Sequence, residues 1–294
     1  MIVFVPGHAV HPTRDVSNVV SDVHLSDDER AQFHETLWEY YHEHGRHDLP
    51  WRQPEADSTF DPYKIMVSEL MLQQTQVSRV LPKYVAFLEH FPTTASLGEA
   101  ELGDVLRMWQ GLGYNRRAKF LWQAAQAVQT KGIFPNTRAE LVTLPGVGVN
   151  TAGAILAYVR NEPVLFIETN VRTVYIHHFF HEEVAIDDRA ITELLAETLD
   201  QEHVREFYWA LMDYGSNLKV TMGNLSRSSK QYVKQSPFAG SRRQVRGLVL
   251  RLLSEGPRSQ TELQELITDE RLESVLADLV AEELVHTRGG VYVV

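Results

Sequence analysis

Over most of this chain the apolar positions recur at helical rather than strand spacing. Ser26-Asp27-Asp28-Glu29 has the form of a capping box, and Phe33, Leu37, Tyr40 and Tyr41 behind it share one face of a helix ending near Gly45. A turn-like DLPWRQ and a polar loop follow, and helical patterns then cover 62–77, 80–90, 102–109, 117–130, 138–144 and 151–160. Strand-like runs are rare before the end, so the first 235 residues read as all-α with short connections. Residues 1–24 carry Pro6, Gly7 and Pro12 without a period and read as an irregular arm. The segment SSKQYVKQSPFAGSRRQ is polar, basic and Gly/Pro-bearing, as a linker is. Helical patterns at 244–253, 261–267 and 270–284 come next, and VHTRGGVYVV closes the chain with two β-prone runs about Gly289-Gly290. Three helices and a hairpin predict a small winged-helix-like unit.

Composition removes several function classes. The 294 residues contain no cysteine, which excludes disulfides, a thiol nucleophile, cysteine-ligated zinc and a cysteine-held iron–sulfur cluster. Apolar runs are too short for a membrane span, and the N-terminus lacks the basic start of a secretory signal, so a cytoplasmic protein is expected. The formal net charge of −11 argues against simple electrostatic capture of nucleic acid. Its distribution changes that picture. Between 216 and 251 lie eight basic residues and no acid, among them Arg242, Arg243 and Arg246. From 252 to 294 there are nine acids against three arginines. The basic ribbon, rather than the tail, is expected to supply any salt-dependent affinity for nucleic acid. The acidic third helix of the tail should be repelled by phosphates and suits packing or docking to a protein partner.

Three stretches could carry chemistry. In LPGVGVNTAGAI, Gly146 and Gly148 allow a tight turn into a helix whose free N–H groups could grip a phosphate, or form a plain helix-to-helix connection. The same turn is a candidate seat for a monovalent cation. In PYKIMVSELMLQQTQV, Glu69 sits among Ile65, Met66, Val67, Leu70, Met71 and Leu72. It is either a solvated-face glutamate or a carboxyl whose apolar setting suits a general acid. In EPVLFIETNVRTV, Glu168 follows an apolar run and Asn170 is a candidate helix cap. Two carboxyls in semi-apolar settings suit the division of labour in glycosidic bond cleavage. His177 and His181, four apart with Glu182 beside them, offer a weaker metal reading without a specified third ligand. Tyr40-Tyr41 and Phe179-Phe180 read as core.

SELMLQQTQV, WQGLGYNRRAK, LPGVGVNTAGAI and ETNVRTV occur in the order and spacing of the helix–hairpin–helix DNA glycosylases. DLPWR and MLQQTQ resemble the adenine DNA glycosylase (MutY-type) branch, over about 33–215. The resemblance implies a mainly α, two-lobed helix–hairpin–helix DNA glycosylase fold with a small C-terminal winged-helix-like domain. Its parts would be the arm 1–24; a second lobe of 25–57 with 165–235; a six-helix barrel with the hairpin at 58–164; and the linker and winged unit at 236–294. DNA would lie across the cleft with one base flipped, because the reacting atoms are unreachable in a stacked duplex.

Carried over, Glu69 is at the position of the glutamate that protonates the leaving purine at N7, and Glu168 at that of the aspartate that stabilises the cationic sugar. Asn150 stands where strand-cutting relatives keep a lysine nucleophile, which implies a hydrolytic, monofunctional enzyme. Gln74 and Thr75 match the wedge that enters the duplex, and Leu112 and Tyr114 the loop that helps separate the bases. Asp213 matches a supporting acid, and Leu49, Trp51 and Arg52 part of the base-pocket wall. The implied substrate is adenine mispaired with 8-oxoguanine or guanine in double-stranded DNA, with base excision repair as the process and no membrane partner. A glycosylase for thymine or a damaged base, and a non-catalytic DNA-binding protein on the same scaffold, are the alternatives. Three departures stand out: Glu for Asp at 168, no four-cysteine cluster after LMDYG, and a winged tail in place of the 8-oxoguanine-reading domain.

Overall fold

The computed structural model describes residues 24–180 and 183–294. The arm up to residue 23, and His181 and Glu182 of the metal reading, lie outside the described residues. In chain order the helices are α1 (Asp27–His44), α2 (Pro62–Leu72), α3 (Val77–His90), α4 (Thr94–Gly98), α5 (Leu102–Trp109), α6 (Arg116–Lys131), α7 (Arg138–Leu141), α8 (Val149–Arg160), α9 (Thr169–Phe179), α10 (Asp188–Thr198), α11 (Val204–Thr221), α12 (Arg242–Glu255), α13 (Gln260–Leu266) and α14 (Leu272–Ala281). Strands β1 (Arg258–Ser259), β2 (His286–Arg288) and β3 (Val291–Val293) form one small antiparallel sheet in the order β1-β3-β2. The chain divides into two compact units, Met1–His47 with Asn161–Val233, and Asp48–Arg160 with Lys234–Val294.

The first unit packs α1, α9, α10 and α11. The capping box forms as its sequence requires: Ser26 Oγ accepts from the Glu29 amide, and the Glu29 carboxylate accepts from the Ser26 amide at 2.8 Å. Phe33 is 2% exposed, with its ring centroid 5.4 Å from Tyr175 and 5.3 Å from Phe179. Tyr40, Tyr41 and Phe180 are buried, as a core reading requires. Helix α11 comes very close to α9 at Gly215, where an added Cβ would lie 2.5 Å from the Asn170 carbonyl oxygen. Only glycine fits there without separating the two helices.

The second unit holds α2 to α8 and the tail. Pro62 opens α2 behind an Asp61 side chain that accepts from the Tyr63 amide, and Met66, Leu70 and Met71 are fully buried. The periodicity of 62–77 predicts one helix, yet α2 stops at Leu72 and α3 starts at Val77. The break has a physical cause. The Arg117 guanidinium takes the carbonyls of Leu70, Met71 and Gln73, and Gln74 turns to φ +56°. Helix α4 was not evident from periodicity because it is five residues long.

The 48–57 stretch, expected with the second lobe, packs instead on α2 and α3. Trp51 meets the Tyr84 ring edge-on at 5.2 Å, and Glu55 pairs with Lys64 at 2.7 Å. The tail forms the expected three helices and hairpin, with Gly289 and Gly290 at φ +57° and +83°. It is not set apart from its unit: the Lys119 amine reaches the Glu283 carboxylate and the Glu282 carbonyl at 2.6 and 2.7 Å.

Candidate functional site

Two loops of the second unit carry four of the expected DNA-facing residues, Gln74, Thr75, Leu112 and Tyr114, and one buried arginine joins them. Gln73–Gln76 connects α2 to α3, and Gln110–Asn115 connects α5 to α6. Arg117, only 7% exposed, donates to the carbonyls of Leu70, Met71, Gln73, Leu112 and Gly113 and to Thr75 Oγ1. Its guanidinium lies 5.4 Å from the Trp109 ring centroid and 5.6 Å from that of Tyr114. Burial pulls its pKa down to about 10. Arg117 is not singled out by any of the sequence motifs. The available signal was a charged residue in register with Leu121, Ala124 and Val128 on the buried face of α6.

The loop tips are exposed and conformationally costly. Gln74 and Tyr114 both have positive φ, +56° and +48°, although neither is glycine. Gln74 is exposed and Thr75 half-buried, its hydroxyl held between Arg117 and the Leu112 carbonyl. Leu112 differs from its expected DNA-facing role: its side chain is 3% exposed, and its carbonyl is fixed by Arg117. Tyr114 remains more than a third exposed.

Glu69 lies in the last turns of α2, half-buried between the buried Ser68 and Leu70. Asn150 is exposed in the first turn of α8, directly after the Leu144–Gly148 hairpin. Gly146, at φ +78°, would place a Cβ 2.8 Å from Phe120 Cβ, so the turn closes only with glycine. Gly148 has open space around it. Leu49, Trp51 and Arg52 are all buried, the last two in a 3₁₀ turn over Pro50–Arg52.

The arginines of the basic ribbon part company. Arg242 forks onto Asp278 of α14, with its nearer nitrogen at 2.6 Å, and Arg246 pairs with Glu282 at 2.5 Å. These two do not offer the free positive charge that the sequence suggests, because the acidic helix meant to stand off from phosphates lies against them. Arg243 has no carboxylate partner among the described residues. It donates to the Tyr114 hydroxyl and to the Ser236 carbonyl, both at 2.6 Å.

In the first unit, Glu168 occupies the cap position of α9, so Asn170 lies inside the helix and does not cap it. The Glu168 side chain makes no capping bond. Burial pushes its carboxyl above the ordinary range, and Arg172 and Lys219 pull it back down. Arg172 shares its charge with Asp188 through a two-pronged pair at 2.7 and 2.6 Å. Lys219 forms no such pair among the described residues. Its amine donates to Asn170 Oδ1 at 2.6 Å, and burial holds its pKa below the ordinary lysine value against the pull of Glu168. Lys219 was read only as one cation of the ribbon; its place one turn after Gly215, at the close approach of α11 to α9, was the missed signal.

Asp213 is 2% exposed, and both its oxygens hold Arg46: one takes Nε at 2.7 Å, the other the backbone amide at 2.7 Å. Beside this pair is an open hollow lined by Tyr40, His44, Arg46, Asp213, Ser216, Asn217 and Val220. Among the described residues no three His, Asp or Glu side chains are grouped to hold a metal ion. With no cysteine in the chain, a thiolate-held cluster has no ligands here. No described helix is long and apolar enough to cross a membrane.

Residues 67–201 match the pattern of the HhH-GPD superfamily base excision DNA repair proteins. The chain is 36% identical over 218 residues to the adenine DNA glycosylase of Buchnera aphidicola subsp. Baizongia pistaciae, covering 70% of this chain and 60% of that one. It is 30% identical over 280 residues to the adenine DNA glycosylase of Mycolicibacterium smegmatis, with 84% and 92% covered. With that of Mycobacterium tuberculosis, identity is 32% over 277 residues, with 84% and 90% covered. Among solved structures, a thermostable thymine-DNA glycosylase superposes with a TM-score of 0.55 at 23% identity, covering 65% of this chain and 87% of that one. A non-covalent endonuclease III–DNA complex gives a TM-score of 0.51 at 17% identity, with 72% and 91% covered. These two likenesses concern the fold.

Proposed function

Since the chain belongs to the adenine DNA glycosylase family of the HhH-GPD base excision repair proteins, we propose that it is a monofunctional DNA glycosylase. Its substrate would be double-stranded DNA with adenine opposite 8-oxoguanine or guanine, and the bond hydrolysed the N-glycosidic bond of the flipped adenine. The observation that carries this reading is Glu69, half-buried at the family's acid position on a helix whose residues 65–67 and 70–72 are apolar. Glu69 delivers a proton to N7, the C1′–N9 bond breaks, and the neutral base departs with that proton. Glu168 stabilises the positive charge left on the sugar. Water adds to C1′, and its proton restores Glu69.

Glu168 can act only when ionised, and its burial opposes ionisation. Arg172 and then Lys219 oppose the effect of burial; Arg172 is also paired with Asp188, whereas Lys219 has no carboxylate salt bridge among the described residues. Lys219→Met is therefore expected to lower kcat roughly tenfold at neutral pH with little change in KM. Because loss of the cation raises the Glu168 pKa further, the acid limb of the kcat profile moves to higher pH. Lys219→Arg restores part of the rate. A profile unmoved by Lys219→Met would remove Lys219 from this role.

Asn150 has no amine, so no imine forms with the sugar aldehyde. Borohydride added during turnover is expected to trap no protein–DNA adduct, and strands should break only after alkali. Lys119, in the WQGLGYNRRAK stretch, has its amine on the Glu283 carboxylate and its side chain only 11% exposed. A substrate-dependent trapped band would overturn the monofunctional reading.

Backbone amides of the Gly146–Gly148 hairpin, alone or with a monovalent cation, supply a phosphate seat that needs no side-chain charge. Ion pairing reduces what the ribbon adds. Changing Arg242, Arg243 and Arg246 together to Ala should flatten the slope of log affinity against log salt by about one unit. Asp278→Asn with Glu282→Gln should steepen it by up to about two units, by releasing Arg242 and Arg246. Equal slopes in all three proteins would place the phosphate contacts elsewhere. The acidic helix that neutralises these arginines suits a packing role at least as well as docking to a protein partner.

A further inference from the structure

The segment that leads into the C-terminal helices reaches the tips of both DNA-facing loops. Gln235 donates through its amide to the Gln74 side chain and accepts from the Tyr114 hydroxyl at 3.0 Å. Arg243 donates to the same hydroxyl, with its guanidinium 5.5 Å from the Tyr114 ring centroid. Phe238, between them in sequence, is 60% exposed, and its carbonyl is fixed by the Ser241 amide and hydroxyl at 3.0 and 2.7 Å. Arg117 holds the same two loops from beneath through their carbonyls. The loops are thus tied at the base by one arginine and bridged at the tips by Gln235 and Arg243.

We propose that Gln235 and Arg243 join Gln74 and Tyr114 as the reader of the base left opposite the flipped nucleotide, with guanine or 8-oxoguanine as the base they select. This rests on the proposed roles of Gln74 and Tyr114 at the duplex. A guanine or 8-oxoguanine that has lost its partner presents an O6 acceptor beside N–H donors. Arg243 supplies a rigid donor fork for the acceptor, and the Gln235 amide can both donate and accept. Cytosine offers a different order of donors and acceptors and is a poorer match. Among the described residues Arg243 is the member of its trio without a carboxylate partner, so its charge is available at this spot without breaking a described ion pair. The exposed Phe238 ring adds a face on which a base can stack.

The test uses the full chain and three duplexes, with adenine opposite guanine, 8-oxoguanine or cytosine. Single-turnover excision is measured on each, and affinity is measured for matching duplexes with tetrahydrofuran in place of the adenosine. Arg243→Ala and Gln235→Ala should each reduce the guanine-over-cytosine preference by about 10-fold, the scale of one good base contact. Arg243→Lys keeps the charge but loses the fork, so it should lose the preference while leaving the salt slope in place. Uniform weakening on all three duplexes would identify Arg243 as a phosphate contact only and overturn the proposal. So would a preference unchanged in both alanine variants. If the unmodified protein releases no adenine from any duplex, the proposed activity fails, and the affinity ratios still decide whether Gln235 and Arg243 read the opposite base.

Discussion

Glu69→Gln is expected to lower single-turnover excision of adenine by about 10² to 10⁴-fold, the usual contribution of a positioned general acid. The amide is nearly isosteric and keeps the α2 packing around Met66, Leu70 and Met71, all fully buried. It cannot deliver a proton to N7, so the purine must leave as an anion. Affinity for the mismatched duplex should change little, because the lost interaction belongs to the transition state. Excision within tenfold of the unmodified protein would remove Glu69 from the acid role.

The second large effect concerns stability. Arg117→Met should cost about 3–5 kcal/mol and lower the melting temperature by about 10 °C. Methionine matches the stem of arginine but donates nothing, so five carbonyls and the Thr75 hydroxyl lose a buried donor at once. The carbonyls of Leu70, Met71 and Gln73 would be free to continue α2, which pulls Gln74 away from its left-handed turn. Mismatch affinity should therefore fall together with stability. A melting temperature within about 2 °C of the unmodified protein would mean that water satisfies these carbonyls and that Arg117 is dispensable.

The helices were legible in the sequence because their apolar residues repeat with the helical period and their caps are chemically explicit, as at Ser26 and Glu29. The tail hairpin was legible from Gly289-Gly290. What stayed hidden were effects of distant side chains on local structure. The stop of α2 at Leu72 depends on Arg117, more than forty residues later in the chain, and no local propensity in MLQQTQV reports it. The pairing of Arg242 and Arg246 with Asp278 and Glu282 was equally invisible. Opposite charge runs in one sequence do not say whether they meet. Motif order singles out Glu69, Gln74, Tyr114 and Glu168 as candidates. The close approach of α11 to α9 that lets Lys219 hold Asn170 required coordinates, as did the bridge from Gln235 and Arg243 to the loop tips.

The most direct measurement is the release of free adenine. The purified chain is incubated with duplexes holding adenine opposite 8-oxoguanine, guanine, thymine or cytosine. The supernatant is analysed chromatographically for the base, and the DNA is run with and without alkali. Free adenine is expected from the 8-oxoguanine and guanine duplexes, none from the paired thymine duplex, and strand breaks only in the alkali-treated lanes. Breaks without alkali, or no adenine from any duplex at enzyme excess, would contradict the proposed activity.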